Sequence, residues 1–127
     1  MKRRLSRAFD PPAPMVPVLV RAPGGLDAVT LEGKIDTGAD ISAVPERFIA
    51  ELDLPPVRTV RAAGFLGELQ EVIVYRIDIE IGTIAFQRIE ALSTRRPHVI
   101  LGRNVLRRLV VRLDGPGETL EIRLPRS

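Results

Sequence analysis

The strongest constraint on the fold is the run Leu69–Ile81, in which apolar residues alternate with charged ones. Ile77 and Ile79 lie on either side of Asp78, and Glu80 follows in the same rhythm. Successive side chains of a β-strand point to opposite faces, so this alternation predicts a long strand with one buried face. The chain also contains eleven Pro and ten Gly in 127 residues. Such frequent breakers favour many short β elements over long helices.

The same reasoning predicts the other elements of a single, mainly β domain. Two short helices are expected at Pro45–Leu52 and Gly102–Leu109, where apolar residues recur at helical spacing. The remaining predicted strands are Val16–Arg21, Ala28–Ile35, Val57–Ala62, Ile84–Leu92, His98–Leu101, Val110–Leu113 and Glu118–Leu124. Ile41–Val44 is a short apolar segment.

Composition removes several kinds of catalytic chemistry. The chain has no Cys, so disulfides, thiol nucleophiles and thiolate metal sites are excluded. It has one His, His98, which makes a histidine-rich metal site or a Ser-His mechanism improbable. We therefore expect neither a metal nor another cofactor, and paired carboxylates remain the best-supplied hydrolytic design.

The basic residues predict a charged surface rather than a nucleic-acid site. Net charge is +3, but the arginines are scattered between acidic residues and the chain has no Trp. We expect no nucleic-acid partner and no membrane partner.

The first fourteen residues differ in composition from the rest. A basic cluster, Lys2-Arg3-Arg4, is followed by a Pro-rich stretch without an apolar run, which argues against a secretion signal. We predict a flexible basic, Pro-rich tail at 1–14, a folded domain at 15–127 and a cytoplasmic location.

Two motifs, separated by roughly sixty residues, point to a family. Asp36-Thr37-Gly38 follows the apolar end of a predicted strand and occurs only once. Val99-Ile100-Leu101-Gly102-Arg103-Asn104-Val105-Leu106 lies near the end of the chain. In this order and spacing, the motifs resemble those of the retroviral-type aspartic proteases, or retropepsins. Taken alone, the triplet is equally well explained as a turn that ends a strand.

The resemblance implies a closed β-barrel with one or two short helices and an aspartic endopeptidase activity with Asp36 as the catalytic residue. Aspartic proteases use two carboxylates that share one proton, because like charges a few ångströms apart cannot both ionise. A chain with one such aspartate supplies half of the pair. The expected enzyme is therefore a homodimer that hydrolyses peptide or protein substrates.

The resemblance also assigns supporting roles around Asp36. Thr37 would bind its mate across the dimer axis, Gly38 would let the backbone approach, and Ala39 would continue the loop. Asp40 would pair with Arg103 and brace the loop. The alternative is that Asp40 and Arg103 are independent surface charges.

Substrate would bind as an extended strand under a flap. The implied substrate-binding residues are Gly38, Asp40, Ile41, Gly64, Phe65, Leu66, Gly67 and Ile100. The glycines at 64 and 67 are equally compatible with an ordinary hairpin turn, and only their position between the two motifs favours a flap. We expect Glu118–Leu124 to join a sheet between protomers, with more than about 1,000 Å² buried in total.

One alternative function has the same sequence signature. A catalytically weak or inactive retropepsin-like module used for dimerisation or binding would also keep the barrel and Asp36. A nucleic-acid-binding role for the arginines is a distant third hypothesis.

Overall fold

The computed structural model of the chain describes residues 1–63 and 66–126. Strands make up 56% of the chain and helices 7%, which confirms the predicted mainly β class. The elements are β1 (Lys2–Arg4), β2 (Met15–Arg21), β3 (Ala28–Ile35), β4 (Ser42–Pro45), α1 (Arg47–Glu51), β5 (Pro56–Ala63), β6 (Leu69–Ile81), β7 (Ile84–Thr94), β8 (Val99–Leu101), α2 (Arg103–Leu106), β9 (Val110–Asp114) and β10 (Thr119–Arg123).

Six strands close into a barrel. The larger sheet runs in the order β2-β3-β8-β4-β7-β6-β5, and a further pairing between β2 and β6 joins its ends. This pairing leaves β5 outside the ring, attached to β6 alone. Closure removes the free edges of the six barrel strands and encloses one core. The predicted closed β-barrel is confirmed.

The core is built mainly from branched aliphatic side chains. Val16, Val18 and Val20 of β2 face Ile79 and other residues of the same apolar cluster, and all four are almost completely buried. Val and Ile suit this role because their branched side chains pack well on a pleated surface. Phe86 is the largest side chain that is fully buried.

Both predicted helices are shorter in the structure. Pro45 ends β4, where it pairs in register with Thr94 of β7, so α1 begins only at Arg47. The predicted helix at Gly102–Leu109 is a single turn, Arg103–Leu106. Tight turn bonds follow it, including Leu109 N–H to Leu106 O at 3.0 Å, because the chain must reverse to enter β9.

The predicted hairpin between the two motifs is present. β5 pairs antiparallel with β6 from Pro56↔Tyr75 to Ala63↔Leu69. Leu66 and Gly67 lie in the connection, with Gly67 at a positive φ of 83° that favours glycine. Gly64 and Phe65, both predicted to bind substrate, lie outside the described residues.

A second sheet of three strands contains both ends of the described chain. Its order is β1-β10-β9, with Lys2↔Glu121 and Leu120↔Leu113 among the antiparallel pairs. Three residues of the segment predicted as a tail thus form strand β1. The mobility of residues 1–14 and the domain boundary after residue 14 stay predictions, since one conformation does not measure motion.

Candidate active site

The loop that carries Asp36 is anchored where three strands meet. β8 lies between β3 and β4, parallel to β3 and antiparallel to β4. Ile35 pairs with Leu101, and the next amide, Asp36 N–H, donates to Leu101 O at 3.0 Å. The loop therefore leaves the barrel directly from the end of a strand that is hydrogen-bonded to its neighbours.

The loop's own backbone orients the Asp36 carboxylate. Gly38 N–H donates to Asp36 Oδ1 at 3.0 Å, and Ala39 N–H donates to Asp36 O at 3.3 Å. A Cβ added to Gly38 would lie 3.3 Å from Asp36 Oδ1, so the absence of a side chain permits this close turn. Asp36 is half-buried, whereas Thr37 and Gly38 are exposed. One carboxylate is thus held in a defined direction on an open surface.

Backbone amides of the second motif hydrogen-bond to the Asp36 loop. Arg103 N–H donates to Ala39 O at 2.8 Å, and Asn104 N–H donates to Asp40 O at 3.3 Å. Gly102 is buried against the Asp36 loop. A Cβ added to it would lie 2.9 Å from Ala39 O and 2.9 Å from the carbonyl carbon of Ile41. The two motifs therefore contact each other through backbone atoms.

The Arg103 side chain completes this support. Its guanidinium donates to Thr37 O at 2.6 Å and forms a second, ionic hydrogen bond with Asp40 Oδ1. Arginine suits this position because its planar fork can bind two acceptors at once. Both side chains of the Arg103–Asp40 pair are largely exposed in the single chain. The structure thus brings together the residues predicted to support the loop; their functional roles stay predictions.

Ser42 and Asn104 form a polar connection that the sequence reasoning missed in part. Asn104 Oδ1 accepts hydrogen bonds from Ser42 N–H at 3.0 Å and from Ser42 Oγ at 2.8 Å. Ser42 Oγ in turn accepts the Gly102 N–H at 2.9 Å. Ser42 is buried, and its only signal in the sequence is a hydroxyl residue inside an apolar segment.

The part of the chain that builds this site matches a known protein family. The family model described as "gag-polyprotein putative aspartyl protease" matches residues 23–108, about two thirds of the chain. The match includes both motifs and the hairpin between them. The chain belongs to this family.

Solved structures of retropepsin-like proteases share the fold. The retropepsin-like aspartic protease of Rickettsia conorii aligns at 18% identity with a TM-score of 0.61, over 94% of this chain and 86% of that chain. The simian foamy virus (mac) protease aligns at 21% identity and TM-score 0.54, over 72% and 91%. EIAV protease aligns at 24% identity and TM-score 0.52, over 75% and 86%. Curated proteins gave no significant match.

These comparisons confirm the retropepsin-like family and fold predicted from the two motifs. The low identities to solved structures carry the fold and no further property.

The described residues among those predicted to bind substrate differ in position and exposure. Ile41 follows the loop directly, and Ile100 lies in β8, where it pairs with Ala43. Both are half-buried, which leaves part of each side chain accessible. Leu66, in the β5–β6 connection, is 88% exposed.

A chain of polar contacts runs from the active-site loop to the base of this hairpin. Asn104 Nδ2 donates to Glu90 O at 2.8 Å. The Glu90 carboxylate accepts two hydrogen bonds from Arg58 of β5, at 2.9 and 2.6 Å. These bonds hold the pKa of Glu90 below its usual range. The first strand of the hairpin is thus tied to the layer that supports Asp36.

His98 is a buried residue at the start of β8. Its ring packs edge-on against Phe9, with centroids 5.7 Å apart. Burial lowers the pKa of His98, and the positive charges of Lys34 and Arg96 act in the same direction. Within the described residues its Nε2 has no hydrogen-bond partner. This environment favours the neutral ring and a structural role for His98.

Residues 1–63 and 66–126 contain no cluster of three or more His, Asp or Glu side chains that could hold a metal ion. In the same residues, no helix is long and apolar enough to span a membrane.

Proposed function

We propose that this chain is one protomer of a homodimeric aspartic endopeptidase that hydrolyses peptide bonds in extended polypeptides. The observation that carries the proposal is the single Asp36 carboxylate, oriented by Gly38 N–H on a loop that Arg103 braces. Each chain has one Asp-Thr-Gly triplet, so a second copy must supply the other acid. Membership of the aspartyl protease family supports the same chemistry.

The proposed reaction needs the two Asp36 carboxylates in different protonation states. The ionised carboxylate takes a proton from a water held between the pair, and the water oxygen adds to the scissile carbonyl carbon. The protonated carboxylate gives its proton to the carbonyl oxygen. The C–N bond of the tetrahedral intermediate then breaks, and the nitrogen receives the proton that the first carboxylate took from water. One hydroxyl proton of the intermediate returns to the second carboxylate as the product acid forms, which restores the starting protonation of the pair.

The remaining predicted residues have distinct parts in this proposal. Thr37 of each protomer meets its mate, and Asp40 together with Gly38 presents backbone groups to the substrate. Ile41, Ile100 and Leu66 supply apolar surface for side chains beside the cut. The β5–β6 hairpin acts as the flap, and Gly64, Phe65 and Gly67 contribute to substrate binding, as the sequence predicts.

The decisive experiment compares Asp36→Asn with the wild type on an unfolded polypeptide between about pH 4 and 7. We expect Asp36→Asn to abolish cleavage while its circular dichroism spectrum is unchanged. Asp27→Asn, at an exposed aspartate in the turn between β2 and β3, is the matched control and should retain full activity. Equal cleavage by Asp36→Asn and wild type would refute the proposal.

A mixing experiment tests the shared active site. Adding excess Asp36→Asn protein to wild type should lower activity well below simple dilution, because each mixed dimer holds only one competent carboxylate. Activity that only dilutes in proportion would mean that each chain acts alone. A stable dimer without any cleavage would instead support the alternative, an inactive dimerisation or binding module.

A further inference from the structure

The three-stranded sheet has a free edge at β9. β10 lies between β1 and β9, so both of its edges are already paired within the chain. Glu118–Leu124, which we predicted as the interface strand, therefore has no edge open to a partner in this conformation. In the described residues, β9 pairs with β10 alone. Its other edge presents unpaired backbone N–H and C=O groups, which can template another strand.

An apolar side chain is left uncovered at this edge. Leu113 of β9 lies directly opposite Leu120 of β10, and opposite residues of an antiparallel pair share one face. Leu120 is 1% exposed and belongs to the core cluster, whereas Leu113 is 58% exposed. Leu113 thus lies on the core-facing side of the sheet, but at the edge, where residues 1–63 and 66–126 leave more than half of it uncovered.

The charges beside Leu113 are complementary to those of a second, antiparallel copy of the same strand. Arg112 and Asp114 flank Leu113 and lie on the opposite face of β9. If two β9 strands pair antiparallel about a two-fold axis at Leu113, each Leu113 meets its mate and each Arg112 meets the Asp114 of the second copy. Opposite charges in such directly opposed positions stabilise a sheet. Moving the axis by one residue, to Arg112, would place like charges against each other.

We propose that the free edge of β9 is the site where a second copy of this chain docks, with Leu113 opposite Leu113. The inference rests on the proposed function, since a protomer with one Asp36 has an incomplete active centre. The occupant is a second copy because this edge is complementary to itself, as a two-fold interface requires. A six-stranded sheet, β1-β10-β9-β9-β10-β1, would then span the dimer.

The position of β9 in the chain links this contact to the active site. β9 follows α2 after one turn, and α2 begins with Arg103, whose side chain holds Thr37 O. A two-fold dimer has one axis. The operation that relates the two β9 strands must therefore also relate the two Asp36 loops.

Cross-linking tests the inference directly, because the chain has no native Cys. Opposite residues of an antiparallel pair have Cα atoms about 4.5–5.5 Å apart, which suits a disulfide. Leu113→Cys should form a disulfide dimer nearly completely under mild oxidation. Leu26→Cys is the matched control: Leu26 is 97% exposed in the turn between β2 and β3, away from β9, and this variant should form no disulfide-linked dimer. Arg112→Cys and Asp114→Cys proteins should cross-link when mixed and not separately.

Activity of the cross-linked protein separates this inference from the proposed function. The Leu113→Cys dimer should cleave as well as the wild type, and its activity per chain should no longer fall on dilution. Leu113→Asp, which places like charges opposite each other, should raise the dimer dissociation constant at least about tenfold, equivalent to 1.4 kcal/mol, without altering the fold.

Three outcomes would overturn the inference: no cross-link above the Leu26→Cys level, an inactive cross-linked dimer beside an active wild type, or unchanged dimerisation of Leu113→Asp. Each leaves the proposed function intact if the wild type still needs Asp36 for cleavage. Conversely, efficient cross-linking with no cleavage by any form would support the contact and refute the protease.

Discussion

Replacing Gly102 by alanine tests how tightly the two motifs pack. The added Cβ would lie 2.9 Å from Ala39 O, 2.9 Å from the Ile41 carbonyl carbon and 3.0 Å from Ile41 O. Carbon atoms in contact normally stay about 3.5–4.0 Å apart. All three contacts are with backbone atoms of the loop between Asp36 and β4, so no side chain can rotate away to relieve them.

The magnitude follows from these contacts. Overpacking a tight site costs about 1–3 kcal/mol, and backbone neighbours place Gly102→Ala at the upper end. Alanine returns about 0.4–1 kcal/mol by restricting the unfolded chain. The expected net loss is about 2 kcal/mol in the free energy of unfolding, or roughly 6–8 °C in melting temperature for a domain of this size. A shift of the Asp36 loop by about 1 Å would also lower cleavage by roughly 100-fold.

Urea unfolding followed by far-ultraviolet circular dichroism measures the loss at one fixed protein concentration, because dimer stability depends on concentration. Gly115→Ala is the control: a Cβ at Gly115 meets no atom within 4 Å, and its φ is not in the left-handed region. This variant should stay within about 0.5 kcal/mol of the wild type. If Gly102→Ala is equally mild, the loop yields to the methyl group and the argument from close packing is wrong.

Two further predictions concern polar groups near the loop. Asn104→Ala leaves the Ser42 N–H and the Glu90 carbonyl without their partner, so the free energy of unfolding in urea should fall by about 2–4 kcal/mol. The control is Arg107→Ala at an exposed neighbouring position, which should lower it by less than about 0.5 kcal/mol. An equal effect of the two substitutions would contradict this prediction. Because folding lowers the pKa of His98 below its usual value near 6.5, the unfolded chain binds the proton more readily, so stability should be fully present above about pH 6.5 and decrease as the pH falls below it. His98→Phe should flatten this part of the stability profile between about pH 7.5 and 5.5, and parallel wild-type and variant profiles would show that His98 is not its source.

Local pattern predicted most of the strands well. The bounds of Ala28–Ile35 and Leu69–Ile81 are those of β3 and β6 in the structure. Here the turn residues at both ends and the alternation between them agree, so local preference and the fold select the same element. The hairpin that joins β5 to β6 was predictable for the same reason.

The alternation in β6 did not predict which residues are buried along its whole length. Ile77, Ile79 and Ile81 are inside the barrel as expected, but Ile73 is 46% exposed and Val74 is completely buried. β6 is part of the barrel at one end and part of the β5–β6 hairpin at the other. The change of face lies between Val74 and Ile77, where the pairing with β5 ends at Tyr75, and the twisted strand turns a different face inward beyond the barrel.

The candidate site was likewise predictable from the sequence only in part. The two motifs indicated Asp36, its loop and Arg103, because their order and spacing are specific to one family. Ser42, as the partner of Asn104, became visible only in three dimensions. The two residues are 62 positions apart in the chain, and no local pattern reports such a distance.

By itself, the sequence determined the class of the fold and the family, and it predicted Asp36 as the acid, because alternation and short motifs are local properties. Tertiary structure decided that six strands close through the β2–β6 pairing and that β10 is enclosed between β1 and β9. It also decided that β9 keeps an open edge beside an exposed Leu113. Which strand edges remain unpaired depends on long-range pairing, whose energy comes from segments that are distant in the chain.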